Sequence, residues 1–184
     1  DSKYPEILKQ LPKTNHPDIV EGDLDIISQP IDFLGVNFYS RAIYRADINE
    51  IFVSVPPKDV PLTDMGWEIY PKALTELLES LNNKYVLPPI YITENGAAMV
   101  DENIDGKIND TSRIEYYQSH LNAVNNAIVK GVNIHGYFAW SLMDNFEWAE
   151  GYLKRFGIVH VDYETQQRTI KASGYAYKDL ISNR

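Results

Sequence analysis

Ile90-Tyr91-Ile92-Thr93-Glu94-Asn95-Gly96 is a short run of β-branched and aromatic residues that ends in an acid, an amide and a glycine. Pro88 and Pro89 precede it and fix where a strand can begin, because proline cannot donate a ladder hydrogen bond. Gly96 allows the backbone to turn away sharply. The run has no polar face, so it predicts a parallel strand that is covered on both sides and delivers Glu94 to its C-terminal end. A cap on a following helix or a surface ion pair is the alternative for Glu94.

Composition indicates one globular domain or a piece of one. The 184 residues are 44% hydrophobic, 12% aromatic and 23% charged, which provides enough apolar material for a core and differs from a disordered tail. A net charge of −9 argues against nucleic acid and anionic membranes as partners, since both need a basic surface. The sequence has no cysteine, which excludes disulfides, thiolate catalysis and zinc–sulfur sites.

Targeting signals are not visible in this sequence. No run of eighteen apolar residues occurs, so we expect no membrane span. The chain begins at Asp1 without a methionine or a signal peptide, so its natural N-terminus need not be in view. With that reservation, we expect a cytoplasmic location.

Two further stretches predict strands with chemically useful groups near their C-terminal ends. Residues 32–40 form the first, and the two-residue period places Asn37 and Tyr39 on one face. Residues 132–140 form the other and end at Trp140. Together with the run at residues 90–96, they predict three strands that carry such groups at their C-terminal ends.

The remaining elements are predicted from apolar spacing and capping residues. We expect a short helix within residues 4–11, another that begins at Pro71, and a last one over 171–182. A further helix follows Asp110 as its N-cap and ends at Gly131.

The helix after Asp110 is expected to bury one apolar stripe, while His120 on the same helix is interpreted as a surface or structural residue. Residues 156–170 alternate and predict a surface hairpin. Residues 41–66 contain prolines and no sustained period, and predict a long loop. The apolar stripe consists of Ile114, Tyr117, Leu121, Val124 and Ile128.

Residues 101–110 imitate a calcium-binding loop, with oxygen-bearing side chains at positions 1, 3 and 5 and glycine at position 6. Position 12 is Ser112 instead of a bidentate glutamate, and a strand rather than a helix precedes the loop. A polar turn is therefore the preferred interpretation, and calcium is the alternative.

The alternation of strands and helices predicts a parallel sheet with right-handed crossovers. In α/β barrels the chemistry lies at the C-terminal ends of such strands. An indole face can stack on a pyranose ring, and carboxylates and amides can pair with vicinal hydroxyls, so the residues there suit a sugar. A nearby tyrosine can hold a carboxylate in its ionised form. The residues at these strand ends are Asn37, Tyr39, Glu94, Trp140, Glu147 and Trp148.

Spaced motifs in this sequence resemble glycoside hydrolase family 1, the β-glucosidase family. They are Ile92-Thr93-Glu94-Asn95-Gly96, Asp32-Phe33-Leu34-Gly35-Val36-Asn37-Phe38-Tyr39, and Trp140-Ser141-Leu142-Met143-Asp144-Asn145-Phe146-Glu147-Trp148 followed by Arg155-Phe156-Gly157-Ile158. The resemblance covers essentially the whole chain. It implies an α/β fold that forms the C-terminal portion, about strands 6–8 with their helices, of a (β/α)8 TIM barrel. Residues 1–184 would then be a single partial domain.

The resemblance also implies a retaining β-glycosidase that hydrolyses terminal β-D-glucosyl residues, with galactosyl or fucosyl residues as further options. Glu94 matches the family's nucleophile, Tyr39 the tyrosine that hydrogen-bonds it, and Asn37 the asparagine near the catalytic carboxyls. No metal or other cofactor is implied. The implied substrate contacts are Trp140 under the sugar, Glu147 at the 4- and 6-hydroxyls, Trp148 at the 3-hydroxyl, Phe156 near the 6-position and Trp67 on the aglycone side.

Two features of the resemblance refine these expectations. The family's 6-phospho-β-glycosidases lack the carboxylate of Glu147, so unphosphorylated sugars are favoured. Retaining hydrolysis needs two carboxyl groups about 5 Å apart, and the family's second one belongs to an Asn-Glu-Pro motif that this sequence lacks. We therefore expect the chain to need a complementary N-terminal half and to be inactive alone. A non-catalytic carbohydrate-binding chain, or a structural fragment that reassembles with its other half, is the alternative.

Overall fold

The computed structural model describes residues 3–50 and 52–183, and the chain divides into two compact units, residues 1–32 and 33–184. The first unit holds the 3-10 turns Glu6–Gln10 and Lys13–Asn15 and the short helix α1, Asp23–Ile27. The helix predicted within residues 4–11 is thus a single 3-10 turn. Pro12 explains why, because a residue that precedes proline is driven out of the helical region and Leu11 is extended. The description of residues 1–184 as one partial domain stays a prediction.

The second unit is built on a three-stranded parallel sheet with the strand order β1-β4-β7. Two helices, α2 and α3, connect these strands, which confirms the predicted alternation of strand and helix. In chain order the elements are β1 (Leu34–Asn37), β2 (Ile43–Arg45), β3 (Val53–Val55), α2 (Lys72–Lys84), β4 (Ile90–Asn95), β5 (Glu102–Ile104), β6 (Lys107–Asn109), α3 (Thr111–Val129), β7 (Ile134–Ala139), β8 (Val159–Val161), β9 (Arg168–Ile170) and α4 (Ala172–Ser182).

The core lies on the face of the sheet that the helices cover. Ile90 and Ile92 of β4 are buried in one cluster with apolar side chains of α2 and α3. Tyr91 and Thr93 alternate with them and are only partly buried. The prediction that this strand is covered on both sides is therefore wrong for the described chain, because α2 and α3 pack against the same face.

Among residues 3–50 and 52–183, three antiparallel strand pairs accompany the sheet, and sequence predicted only the pair β8 and β9. The pair β2 and β3 lies within the predicted long loop. The pair β5 and β6 replaces the predicted polar turn of residues 101–110. Asp105 and Gly106 both have positive φ angles, of 51° and 80°, as a two-residue type I′ hairpin turn requires. The Asp-Gly dipeptide was the signal that could have predicted this hairpin.

The buried face of helix α3 overlaps the predicted stripe only in part: Tyr117 and Val124 are buried as predicted, and Ile114 and Leu121 are half-buried. Arg113, Tyr116 and His120 are almost completely buried, whereas Ile128 is 46% exposed. The His120 ring stacks on Tyr116 with 3.9 Å between ring centroids, and Arg113 pairs with the buried Asp110. Arg113 is compensated there by a carboxylate, and Nδ1 of His120 bonds Tyr116 O at 2.8 Å. Of the two interpretations left open for His120, surface or structural, its burial favours the structural one.

The described residues, 3–50 and 52–183, include neither a membrane-spanning helix nor a cluster of metal-ligating side chains. None of their helices is long and apolar enough to cross a bilayer. No group of three or more His, Cys, Asp or Glu side chains among them could hold a metal ion.

Candidate active site

A cleft of about 530 Å³ opens beside the C-terminal ends of β1, β4 and β7. Most of the side chains that sequence predicted as site residues line it. Met65, Ala149 and Glu150 line it as well, and sequence did not single them out because Met65 lies in a loop and the other two lie in the short 3-10 turn Trp148–Glu150. The predicted residues that it brings together are Asn37, Tyr39, Trp67, Glu94, Trp140, Glu147 and Trp148.

Glu94 and Tyr39 meet at the centre of this arrangement. Parallel pairing places Asn37 of β1 opposite Glu94, so Tyr39 follows at the same edge of the sheet. The Tyr39 hydroxyl donates a hydrogen bond to Glu94 Oε2 at 2.5 Å. Burial, this hydrogen bond and the charges of Glu94 and Glu147 raise the pKa of Tyr39 above its ordinary value. Tyr39 therefore keeps its proton at neutral pH and remains a donor to the carboxylate.

Asn37 is fixed by the residue that precedes the carboxylate. Its Oδ1 accepts a hydrogen bond from Thr93 Oγ1 at 2.6 Å. The side chain of Asn37 is exposed to the cleft. The neighbouring strand thus holds an amide at the mouth of the cleft, beside Glu94.

The segment after β7 presents a second carboxylate and an indole. The Glu147 amide donates to Gly151 O at 2.7 Å, and the Glu150 amide donates to Glu147 O at 2.8 Å, which closes a tight loop. Trp148 is 83% exposed at the tip of this loop. Burial and the negative charges of Glu94 and Glu150 raise the pKa of Glu147 above its ordinary value. The charges of Glu94 and Glu150 therefore act on the carboxyl group of Glu147.

Asp144 holds that loop in place through hydrogen bonds and ion pairs. Its carboxylate accepts hydrogen bonds from the Gly157 amide at 3.0 Å and the Val161 amide at 3.3 Å. It also pairs with Arg155 at 2.7 Å and with the buried Lys171 at 2.9 Å. Burial alone would raise the pKa of Asp144, but the two cations more than offset it and hold that pKa below its ordinary value. A charged Asp144 thus fixes both ends of the segment that carries Glu147.

Trp67 and Tyr39 form one aromatic side of the cleft, and Phe156, which does not line the cleft, lies behind them. Trp67 packs against Tyr39 with 5.6 Å between ring centroids, and Phe156 lies 6.1 Å from each of these two rings. Phe156 is only 1% exposed and supports the other two rings from behind. Beside Trp67, Glu68 accepts two hydrogen bonds from the Arg41 guanidinium at 2.8 and 3.0 Å, which ties the Trp67 segment to the chain beyond β1.

Three curated relatives show which proteins this chain is similar to in sequence. It is 44% identical to beta-glucosidase A of Thermotoga maritima over 182 residues, which are 98% of this chain and 41% of that protein. It is 47% identical to beta-glucosidase A of Acetivibrio thermocellus, with 98% and 42% covered. It is 41% identical to a 6-phospho-beta-galactosidase of Clostridium acetobutylicum, with 88% and 39% covered.

The fold agrees with these relatives. The solved structure of the Thermotoga maritima beta-glucosidase in complex with glucoimidazole superposes with a TM-score of 0.93, at 44% identity, over 99% of this chain and 41% of that one. The chain therefore forms part of a (β/α)8 barrel of the glycosidase class. It belongs to glycosyl hydrolase family 1, whose family model matches residues 1–184. It spans about two fifths of the length of the curated relatives that it matches.

Proposed function

We propose that this chain supplies the nucleophile and part of the sugar-binding surface of a retaining β-glycosidase that removes terminal β-D-glucosyl residues. The observation that carries the proposal is the 2.5 Å contact between the Tyr39 hydroxyl and Glu94, inside a cleft walled by indole rings. Membership of the family supports the hydrolase class, and relatives named beta-glucosidases support a glucosyl substrate. Galactosyl and fucosyl residues stay as further predicted substrates, and the cytoplasmic location also stays a prediction.

In this proposal Glu94 attacks the anomeric carbon of the bound sugar. The bond to the leaving-group oxygen breaks, and that oxygen takes a proton from an acid that lies outside this chain. Water then hydrolyses the glycosyl ester of Glu94, and its proton returns to the same outside group. Tyr39 directs the attacking carboxylate oxygen, and Asn37 offers its amide to the sugar. No step requires a metal or another cofactor.

The remaining side chains of the cleft hold the sugar in this proposal. Trp140 stacks under the pyranose ring, Trp148 contacts the 3-hydroxyl, and Trp67 lies on the aglycone side. Phe156 was predicted near the 6-position, and its burial supports an indirect role through the rings that cover it.

Glu147 bears on the choice between plain and phosphorylated sugars. Its carboxylate can accept hydrogen bonds from the 4- and 6-hydroxyls, whereas a 6-phosphate would meet three carboxylates in one cleft, those of Glu94, Glu147 and Glu150. One relative is named a 6-phospho-beta-galactosidase, so both plain and phosphorylated sugars have to be considered as substrates. We expect cleavage of a β-glucoside and little cleavage of its 6-phosphate.

The partner in this proposal is the complementary N-terminal portion of the barrel. A general acid contributes about 10²–10⁴-fold to the rate, so the chain alone should lack family-like activity. The solved relative includes the additional length that this chain does not match, which supports such a partner.

The test uses the chain combined with the unmatched N-terminal portion of the Thermotoga maritima enzyme, and a 2-fluoro-β-glucoside with a good leaving group. Fluorine destabilises the oxocarbenium-like transition states, so the glycosyl-enzyme should accumulate. We expect mass spectrometry to locate the label in the peptide containing residues 92–96, and Glu94→Gln to abolish it. A label elsewhere, or one that survives Glu94→Gln, would show that Glu94 is not the nucleophile. Binding of glucose-like inhibitors without any labelling would favour the non-catalytic alternative.

A further inference from the structure

Asn95 is the residue next to the proposed nucleophile, and its side chain is fully buried behind the cleft. Its Nδ2 donates hydrogen bonds to Phe38 O at 2.7 Å and to the Tyr116 hydroxyl at 3.1 Å. Its Oδ1 accepts one from the Tyr137 hydroxyl at 2.5 Å. The orientation of the amide is determined by these partners, because Phe38 O can only accept.

The same residue connects the ends of all three parallel strands. Phe38 directly follows β1, and its own amide donates to Glu94 O at 2.9 Å. Just beyond β7, the Trp140 amide donates to Asn95 O at 2.8 Å. The approach of these ends is so close that a Cβ on Gly96 would lie 1.7 Å from Trp140 O. Asn95 therefore stands where the three strands carrying the cleft residues converge.

Tyr116 of α3 extends this network to the partner of the proposed nucleophile. Its hydroxyl donates to Tyr39 O at 2.9 Å while it accepts from Asn95 Nδ2. Burial raises the pKa of Tyr116 above its ordinary value, so the hydroxyl keeps the proton that it donates. The backbone of Tyr39 is thus held from behind, while its hydroxyl reaches Glu94 in front.

We infer that Asn95 is a positioning residue for the proposed reaction, because its hydrogen bonds fix Tyr39, Glu94 and Trp140 relative to one another. This inference rests on the proposed function, and it adds a residue that contacts no substrate. A misplacement of about 1 Å at a reacting group can cost on the order of 10²-fold in rate. If the buried amide only stabilised the fold, its substitution would lower the free energy of unfolding without any specific effect at the strand ends.

The first test is amide hydrogen exchange on the chain itself, which needs no activity. Asn95→Asp keeps the shape of the side chain. It replaces the Nδ2 group, which donates both hydrogen bonds, with an oxygen that faces Phe38 O. We expect the Phe38 and Trp140 amides to exchange about tenfold faster or more, relative to the slowest amides of α2 and α3, which report global unfolding. The matched control is Thr75→Val, because Thr75 is buried and donates a 2.8 Å bond to Ala123 O between α2 and α3.

The control should leave the ratio of local to global exchange at Phe38 and Trp140 as in the unsubstituted chain. The inference would be overturned if Asn95→Asp also left that ratio unchanged. An equal acceleration of all amides would equally overturn it, since that result describes a purely structural residue.

The second test measures the rate of covalent trapping in the assembled protein described above. We expect Asn95→Asp to slow trapping about 10- to 100-fold with a smaller change in inhibitor affinity, and Thr75→Val to change neither. In a Tyr39→Phe background the effect of Asn95→Asp should shrink, because both substitutions disturb the same contact. Fully additive effects would contradict the inference. If the unsubstituted protein is not labelled at all, the proposed function fails, and the exchange experiment still decides whether Asn95 fixes the strand ends.

Discussion

Single residues of this cleft combine negative charges with exposed aromatic rings. Glu94 and Glu147 share the cleft, and burial together with the charge of Glu94 raises the pKa of Glu147 above its ordinary value. The neutral sugar proposed as the substrate would enter this cleft without adding another charge. Single substitutions can test what each carboxylate of the cleft contributes.

Glu147→Gln should weaken sugar binding while leaving the nucleophile reactive. Hydrogen bonds to a charged group contribute about 1.5–3 kcal/mol, so the affinity for a glucose-like inhibitor should fall at least about tenfold. Labelling of Glu94 should still go to completion at high reagent concentration. The control is Glu150→Gln, which removes the same charge from the same cleft and should change affinity little. Equal losses for the two variants would mean that only net charge matters.

His120 predicts an acid-sensitive contribution to stability. Its ring is fully buried against Tyr116, and burial lowers the pKa of His120 to about 4. The unfolded chain, with a histidine pKa near about 6.5, binds more protons between these values. The free energy of unfolding should therefore fall as the pH drops from about 6.5 to about 4, by on the order of 3 kcal/mol from this residue.

Urea unfolding at neutral pH and at about pH 5 measures this contribution. His120→Phe keeps an aromatic ring against Tyr116 and should reduce the loss of stability between the two conditions. His135→Gln, at an exposed histidine, should not reduce it. An unchanged pH dependence in His120→Phe would show that the carboxylates alone account for acid sensitivity.

At the scale of elements, a buried carboxylate joins two helices, α3 and α4. Asp110 occupies the N-cap position of α3 as predicted, but its side chain makes no capping bond in that helix. It accepts hydrogen bonds instead from the amide and hydroxyl of Ser173, at 2.8 and 2.5 Å, in the first turn of α4. It also pairs with the buried Arg113. One carboxylate thus fastens the beginning of α4 to the beginning of α3.

Asp110→Ala should destabilise the chain by about 3–5 kcal/mol, because it leaves the buried Arg113 with only part of its compensating charge. Chemical denaturation measures this loss. Glu76→Gln, which breaks the exposed pair between Glu76 and Lys72, should cost less than about 1 kcal/mol. Similar losses in the two variants would contradict the role given to the buried pair.

At the scale of the whole molecule, the sheet has two edges and one poorly covered face. Among the described residues, β1 and β7 each pair with β4 alone, and unpaired edges are templates for further strands. Phe33 and Phe138 are 54% and 55% exposed beside these strands. A (β/α)8 barrel closes with eight strands, so three leave both edges available.

We expect the chain to bind the unmatched N-terminal portion of the Thermotoga maritima enzyme, or to self-associate when that portion is absent. Light scattering after size exclusion would measure both outcomes. Phe138→Glu should weaken the association, because it places a charge on a surface to be buried. Tyr175→Glu, at an equally exposed aromatic residue of α4, should have little effect. A monodisperse monomer that does not bind the N-terminal portion would refute this expectation.

The sequence by itself determined the three parallel strands, their connecting helices and the position of Glu94 at the end of β4. Local apolar runs and their punctuation by proline and glycine carry that information, because they act within a few residues. The spaced motifs also sufficed for the family, which the family model confirms. The roles of the individual site residues stay predictions.

Only the tertiary structure decided where the polar groups of the core find their partners. Asp110 meets Ser173 across 63 residues of chain, Asn95 meets Phe38 across 57, and His120 is buried although its helix has a more apolar stripe. Periodicity reports which face of an element is apolar, but not which distant group will satisfy a buried polar atom. That choice depends on how strands and helices come together, and here it fixes the network behind the cleft.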